Sequence, residues 1–408
     1  MVPEGWKEKP LIQLLEIVID YRGISVPKAE SGIPLITARN IKSGFLDFSE
    51  QEYIQANQYD EWTSRGLPKG GDILFTTEAP LGNACRFPSH GKYAIGQRTV
   101  CLRVNGKLDS EFLLQYLLSS NGQRLIDLKS SGSTAKGIKS SELKKIYVLH
   151  PASIYEQKKI AKILYTWDQI ITTTELLLAN SEQQKRALMQ QLLTGSRHLP
   201  GFQKSWQNVR LEQIFSRVTN KNTEANTNVV TISARHGLIR QEEFFSKTVA
   251  SETLDNYFLI KKGQFAYNKS YSNGYPMGAI KRLNKYEKGV VTTLYICFKV
   301  TDETSCNPEF FEHYFESGLL NNGLSKIANE GGRAHGLLNV KPSDFFGLTV
   351  FIPEINEQKA IAAVLTAADQ EIQALQAQLS CLQDEKKALM QQLLTGKRCV
   401  QVGELEIA

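Results

Sequence analysis

The sequence predicts an α+β protein made of two tandem domains, each followed by one long helix, with the two helices pairing as an intramolecular coiled coil. Three observations carry this. The phrase ALMQQLLTG occurs at 187–195 and again, unchanged, at 388–396. The identity extends through about 40 residues of helical periodicity around each copy, far more than chance allows. The roughly 150 residues before each copy also repeat, more faintly. At 408 residues the chain is long enough for more than one domain of ~100–200 residues.

The first domain is assigned to residues 1–152 and opens near Gly5-Trp6. Its β-branched and aromatic runs, bounded by Gly, Pro and Asn, read as short strands. They are PLITARNI (34–41), LPKGGDILFT (67–76), YAIGQRTVCLRV (93–104) and IYVLHP (146–151). DSEFLLQYLLSS (109–120) reads as a helix with Asp109 as its N-cap.

The first long helix is assigned to 153–196. Its seam runs Ile160, Leu164, Trp167, Ile171, Thr174, Leu178, Ser181, Lys185, Leu188 and Leu192, in steps of four and three. Neither Pro nor Gly interrupts it before Gly195, which stands where a C-terminal cap belongs. At 1.5 Å per residue such a helix spans roughly 60 Å.

The second domain, 197–353, opens at LPGFQKSW (199–206) and follows the first segment by segment. VVTISARHGLI (229–239), IKKGQFAYNK (260–269), GVVTTLYICFKV (289–300) and LTVFIP (348–353) answer the four strand runs. NPEFFEHYFESG (307–318) answers the helix, with Asn307 as its cap. The second long helix, 354–398, lies 201 residues after the first (187 to 388), so EQKAIAAVLTAADQE (357–371) falls on EQKKIAKILYTWDQI (156–170). Its seam is Ile361, Leu365, Ala368, Ile372, Leu375, Leu379, Leu382, Lys386, Leu389 and Leu393, closed by Gly396. Residues 399–408 form a tail. The seam leaves parallel and antiparallel pairing equally open.

The net charge of +6 and pI near 8.8 permit a polyanionic partner without requiring one. No apolar run approaches the ~18 residues of a membrane span, and MVPEGWKEKP lacks a signal peptide's apolar core. The six cysteines lie far apart with no C-x-x-C pair, which fits a reducing cytoplasm and makes a structural zinc site unexpected. There is no phosphate loop, H-E-x-x-H pair or G-x-S-x-G elbow. Cys306-Asn307-Pro308-Glu309-Phe310 is close to the N-P-P-[FY] motif of amino-group DNA methyltransferases. Glu309 replaces its second proline, and the matching Asp109 in the first half favours the capping role. No catalytic or metal-binding residue is assigned.

Polar loops are the remaining candidates, for DNA. In the first half they offer Thr37, Arg39, Asn40 and Lys42, then Thr77 and Arg98, then Ser133, Thr134 and Lys136 in SSGSTAKGIK (130–139). In the second they offer Ser233, Arg235 and His236, then Asn268, Lys269 and Tyr271, then Arg333 and His335 in EGGRAHGLLN (330–339). Arg and Lys suit guanine O6/N7 or phosphate, and Asn suits adenine N6/N7. A Gly-rich loop lets backbone amides and a cation approach phosphate.

This layout resembles the specificity subunit of type I restriction-modification systems. The likeness covers essentially the whole chain: a variable domain, a helix ending ALMQQLLTG, a second variable domain from LPGFQKSW, and a helix ending ALMQQLLTGKR (388–398). GDILF (71–75) resembles a frequent phrase of the family's target-recognition domains, echoed loosely by GQFAY (263–267). The resemblance implies that each domain reads one part of a split, asymmetric site in double-stranded DNA. It implies an antiparallel, pseudo-two-fold helix pair that sets the unread spacer and docks two methyltransferase subunits. It also implies a chain without a catalytic site or bound cofactor. S-adenosylmethionine would belong to the methyltransferase, and ATP with magnesium to restriction subunits. A subunit serving a solitary methyltransferase, or a coiled-coil scaffold that never meets DNA, are the alternatives.

Overall fold

The computed structural model describes residues 2–21, 26, 28–132, 136–233, 236–244, 253–328 and 338–400. The chain divides into two compact units, Met1–Leu176 with Ala377–Ala408, and Leu177–Gln376. The long helices, Ile154–Leu192 and Ile355–Leu393, each give one half to each unit.

Unit 1 is built on a four-stranded antiparallel sheet in the order Leu15–Asp20, Thr99–Val104, Ile73–Thr76, Ala84–Arg86. Unit 2 repeats it with Phe215–Val218, Ile296–Val300, Phe265–Asn268, Ala279–Arg282. In each, a two-stranded ribbon ties the opening strand to the strand before the long helix: Trp6–Pro10 with Tyr147–Pro151, and Gln207–Arg210 with Thr349–Ile352. The helices Ser110–Leu118 and Pro308–Glu316 start at side-chain caps, with Asp109 accepting from Phe112 N and Asn307 from Phe310 N. That capping is the work Asn307-Pro308 does here.

The sheets are covered on both faces, so their strands are continuous apolar runs rather than alternating ones. In unit 1, Ile73 and Phe75 face the helical core, while Leu74 and Cys101 face a second cluster under the loops. Cys297 holds the place of Cys101 in unit 2, and burial pushes its thiol up to about 12. The helical cores differ in kind. Leu15, Ile73, Leu102, Leu113, Leu117 and Leu143 in unit 1 stand where unit 2 has Phe215, Phe265, Phe298, Phe311, Phe315 and Phe345. One backbone plan thus accommodates aliphatic side chains or phenylalanines at the same six core places.

Within each unit the long-helix halves run antiparallel. In unit 1, Ile160 and Leu164 share a core with Leu389, Leu393 and Leu394. In unit 2, Leu188, Met189 and Leu192 share one with Ile361, Ala362 and Leu365. Every seam position is buried or half-buried, including Trp167, Ile171, Leu178, Ile372, Leu375, Leu379 and Leu382. The seam lysines are paired: Lys386 with Asp168 in unit 1, and Lys185 with Asp369 in unit 2. Their ammonium-bearing side chains are only 14% and 15% exposed. A parallel, in-register pair would set Lys185 against Lys386, burying like charges. The antiparallel pair sets each lysine against the other copy's aspartate.

Much of the repeated sequence faces inward. Gln157 is fully buried; its amide accepts from Asp109 N (2.8 Å) and donates to Pro151 O (2.9 Å) and Lys107 O (3.2 Å). Gln358 does the same in unit 2, accepting from Asn307 N (2.9 Å) and donating to Pro353 O (2.8 Å). These two glutamines lock the start of each long helix to the capped helix of its domain. Gly195 and Gly396 have φ of +71° and +69°, a region open chiefly to glycine. A Cβ on Gly195 would come 3.1 Å from Trp206, and one on Gly396 2.7 Å from Pro3 and 3.1 Å from Trp6. The Gly-Trp and Ser-Trp openings and the closing Thr-Gly are therefore one packing motif. By contrast, Ala187, Gln190 and Gln191 and their copies Ala388, Gln391 and Gln392 are exposed, yet still identical.

Candidate nucleic-acid interface

In unit 1 the buried strand Ile33–Ile36 delivers the chain into the loop that begins at Thr37. Asn40 holds that loop shut. It is 2% exposed; its Oδ1 accepts from Thr37 N (2.9 Å) and Oγ1 (2.8 Å), and its Nδ2 donates to Asp47 O (2.9 Å) and Glu50 O (2.8 Å). With both amide ends spent, Asn40 cannot read adenine as its residue type had suggested. Its role is to turn Arg39 outward, where the guanidinium is 77% exposed and only loosely paired with Glu50 at 3.7 Å. Lys42 is similarly placed beside Asp47 at 3.7 Å.

Thr77 is also an inward residue. It is 2% exposed, and both its amide and its hydroxyl donate to Arg98 O (3.0 and 3.1 Å). Those bonds fix the turn that carries Arg98, whose Nε lies 3.0 Å from Glu78 and whose side chain is half-exposed. Lys136 is exposed and paired with Asp127. Ser133 and Thr134 lie outside the described residues. A cavity of about 380 Å³ gathers Lys28, Thr37, Arg39, Gln97 and Arg98 into one wall. Two segments distant in sequence, 28–39 and 97–98, thus present guanidinium, ammonium and amide donors together. Gln97 and Lys28 were missed from sequence. Gln97 was legible as the polar neighbour of Arg98 in IGQRT, between two apolar runs.

Because Asn40 satisfies four polar groups at once, Asn40→Ala is expected to destabilise this loop by about 2–3 kcal/mol. Hydrogen exchange of the 37–50 amides measures it; protection unchanged from the parent would refute the keystone role.

In unit 2, Ser233 is 3% exposed and its Oγ accepts from His236 N (3.2 Å), so it closes a turn rather than offering a hydroxyl to DNA. His236 itself is exposed and lines a cleft of about 540 Å³ with Lys281, Arg282, Lys285, Glu312 and Glu316. Arg235, Arg333 and His335 lie outside the described residues. Asn268 accepts from Ser270 N (3.1 Å), shaping the turn. Lys269 is half-buried against Val340 O; burial first, then the charge of Arg217, pushes its ammonium below the usual range. Tyr271 stands out, 64% exposed. Among the described residues no cluster of His, Cys, Asp or Glu could hold a metal ion, and no helix is long and apolar enough to cross a membrane.

Residues 3–180 match the family model described as the type I restriction modification DNA specificity domain. Residues 3–180 thus form a type I restriction modification DNA specificity domain, and unit 2 repeats its four-stranded sheet strand for strand. Across 97% of its length the chain is 23% identical to the type I restriction enzyme MjaX specificity subunit of Methanocaldococcus jannaschii, covering 94% of that protein. Its fold matches the S subunit of a type I restriction-modification system from M. genitalium, with a TM-score of 0.60 at 14% identity over 98% of this chain and 97% of that one. A chain solved in work on complex assembly and conformational transition of the type I R-M system matches with a TM-score of 0.54 at 15% identity, over 98% and 100%. The family model matched by the first half is thus one of DNA specificity.

Proposed function

We propose that this chain is the non-catalytic reader of a type I restriction-modification complex, with each globular domain reading one half of a split, asymmetric DNA site. One observation carries the reading. The scaffold is duplicated down to its internal clamps, Gln157 and Gln358, while the loops it presents differ in nearly every exposed side chain. Two equal mounts with unequal faces suit two different half-sites. The long helices, shared between the units, set the unread gap. Their exposed identities at Ala187 and Gln190, repeated at Ala388 and Gln391, have no side-chain hydrogen bond among the described residues and so fit two identical methyltransferase subunits. S-adenosylmethionine belongs to those subunits, and ATP with magnesium to restriction subunits where they are present.

Co-expression with the neighbouring methyltransferase, followed by single-molecule mapping of modified adenine, tests this. The expected result is one split motif with an unread gap of fixed length. A stable purified complex that leaves DNA unmodified, or that modifies a continuous motif, would refute it.

A further inference from the structure

In both units a two-residue turn with exposed side chains enters the second strand of the sheet. In unit 1 it is Gln97-Arg98, between Ala94–Ile95 and Thr99–Val104. In unit 2 it is Thr293-Leu294, between Lys288–Val291 and Ile296–Val300. Buried residues follow each turn, Thr99 and Tyr295.

The turns are mounted alike. The strand before the first pairs in parallel with Leu35 and Ile36, and Gly96 N donates to Ile36 O at 2.8 Å. The strand before the second bridges in parallel to Val229, and the Tyr295 hydroxyl lies 3.3 Å from Thr231 Oγ1. Each turn therefore stands beside the strand that feeds a candidate DNA loop, at Thr37 in one unit and at Ser233 in the other. In unit 1 the cavity wall shows the turn and the Arg39 loop facing the same space.

The side chains on these equivalent mounts are opposite in chemistry. Arg98 offers a planar fork of donors. Its partner Glu78 is itself half-exposed, so the pair is weak and exchangeable for a ligand. Gln97 has no side-chain hydrogen bond to a described residue. Leu294 offers only methyl groups and is 58% exposed at the tip of its turn. A single exposed leucine is unremarkable by itself; one at the site of an exposed arginine, on a duplicated mount, is a substitution of one recognition chemistry for another. Arginine matches guanine O6 and N7, and an apolar side chain matches the thymine methyl.

We infer that this turn reads bases in both units, Gln97-Arg98 recognising a guanine-containing step and Thr293-Leu294 a thymine through its 5-methyl group. The inference rests on DNA reading by the two domains and assigns its chemistry.

The test uses the complex with its methyltransferase and the mapped cognate duplex. One series replaces thymine by uracil in each half-site in turn, which removes only the methyl. Another replaces guanine by 7-deazaguanine, which removes only N7. The wild-type complex should lose about tenfold in affinity on uracil in the half-site read by unit 2. Leu294→Ala should lose a similar factor on natural DNA and then be indifferent to uracil. Arg98→Ala should weaken the other half-site about tenfold and abolish its sensitivity to 7-deazaguanine. A unit 2 half-site without thymine, indifference of the wild type to uracil, or persistent uracil sensitivity in Leu294→Ala would each overturn the inference. So would a Leu294→Ala chain that loses methyltransferase association while its base preference stays intact. Equal binding of cognate and scrambled duplexes by the wild type would instead remove the DNA-reading function beneath it.

Discussion

Phe298→Ala is expected to destabilise unit 2 by about 4 kcal/mol, the largest single effect foreseen for this chain. Phe298 is completely buried in the central part of the sheet. Its ring stacks on Phe265 at 5.3 Å and 8°, meets Phe215 edge-on at 5.0 Å, and touches Phe315, Phe345 and Phe346. Alanine removes the transfer energy of the ring and leaves a cavity among partners that are themselves rings held in fixed orientations. Leu102 occupies this place in unit 1, where Leu15, Ile73, Leu117 and Leu143 replace the phenylalanines that surround Phe298. Phe298→Leu should therefore still cost unit 2 part of that energy. Unfolding followed by hydrogen exchange, resolved by unit, is the measurement. The loss should appear in the sheet amides around Ile296–Val300 and be absent from Thr99–Val104. A loss below about 1 kcal/mol would mean that the aromatic cluster repacks and is not a rigid core.

Gln358→Leu is expected to cost about 3 kcal/mol, and Gln157→Leu about the same in unit 1. Leucine fits the space but abandons Asn307 N and Pro353 O in one case, and Asp109 N, Lys107 O and Pro151 O in the other. An unpaired buried backbone group costs its full desolvation energy, which exceeds what the added apolar surface returns. The damage should be local: faster exchange at the start of the affected long helix and at the capped helix it touches. Equal protection in parent and variant would show that these glutamines are space-fillers, and the twofold occurrence of Glu-Gln-Lys would need another cause.

The candidate site was partly legible from residue type. Arg39, Arg98 and Tyr271 are exposed on the loops that sequence singled out, and Arg98 stands with Arg39 in one cavity wall. Asn40, Thr77 and Ser233 share that polar chemistry and lie in the same loops, but they point inward. Residue type cannot separate the two groups. A buried backbone turn needs polar partners just as a base edge does, and Asn, Thr and Ser supply both. Only the closing of the loops shows which side chains are already spent.

By itself the sequence determined the duplicated α+β plan, the caps at Asp109 and Asn307, and the length and seam of both helices. Those are local properties: a period near 3.6, a capping side chain, a run of strand-forming residues bounded by breakers. Direction was a tertiary decision. The seam is compatible with either orientation until the largely buried Lys185 and Lys386 must find partners, and the antiparallel arrangement brings Asp369 and Asp168 to them. Burial makes that choice strict, because a buried charge is tolerable only when paired, and pairing depends on what the rest of the fold carries to the same place.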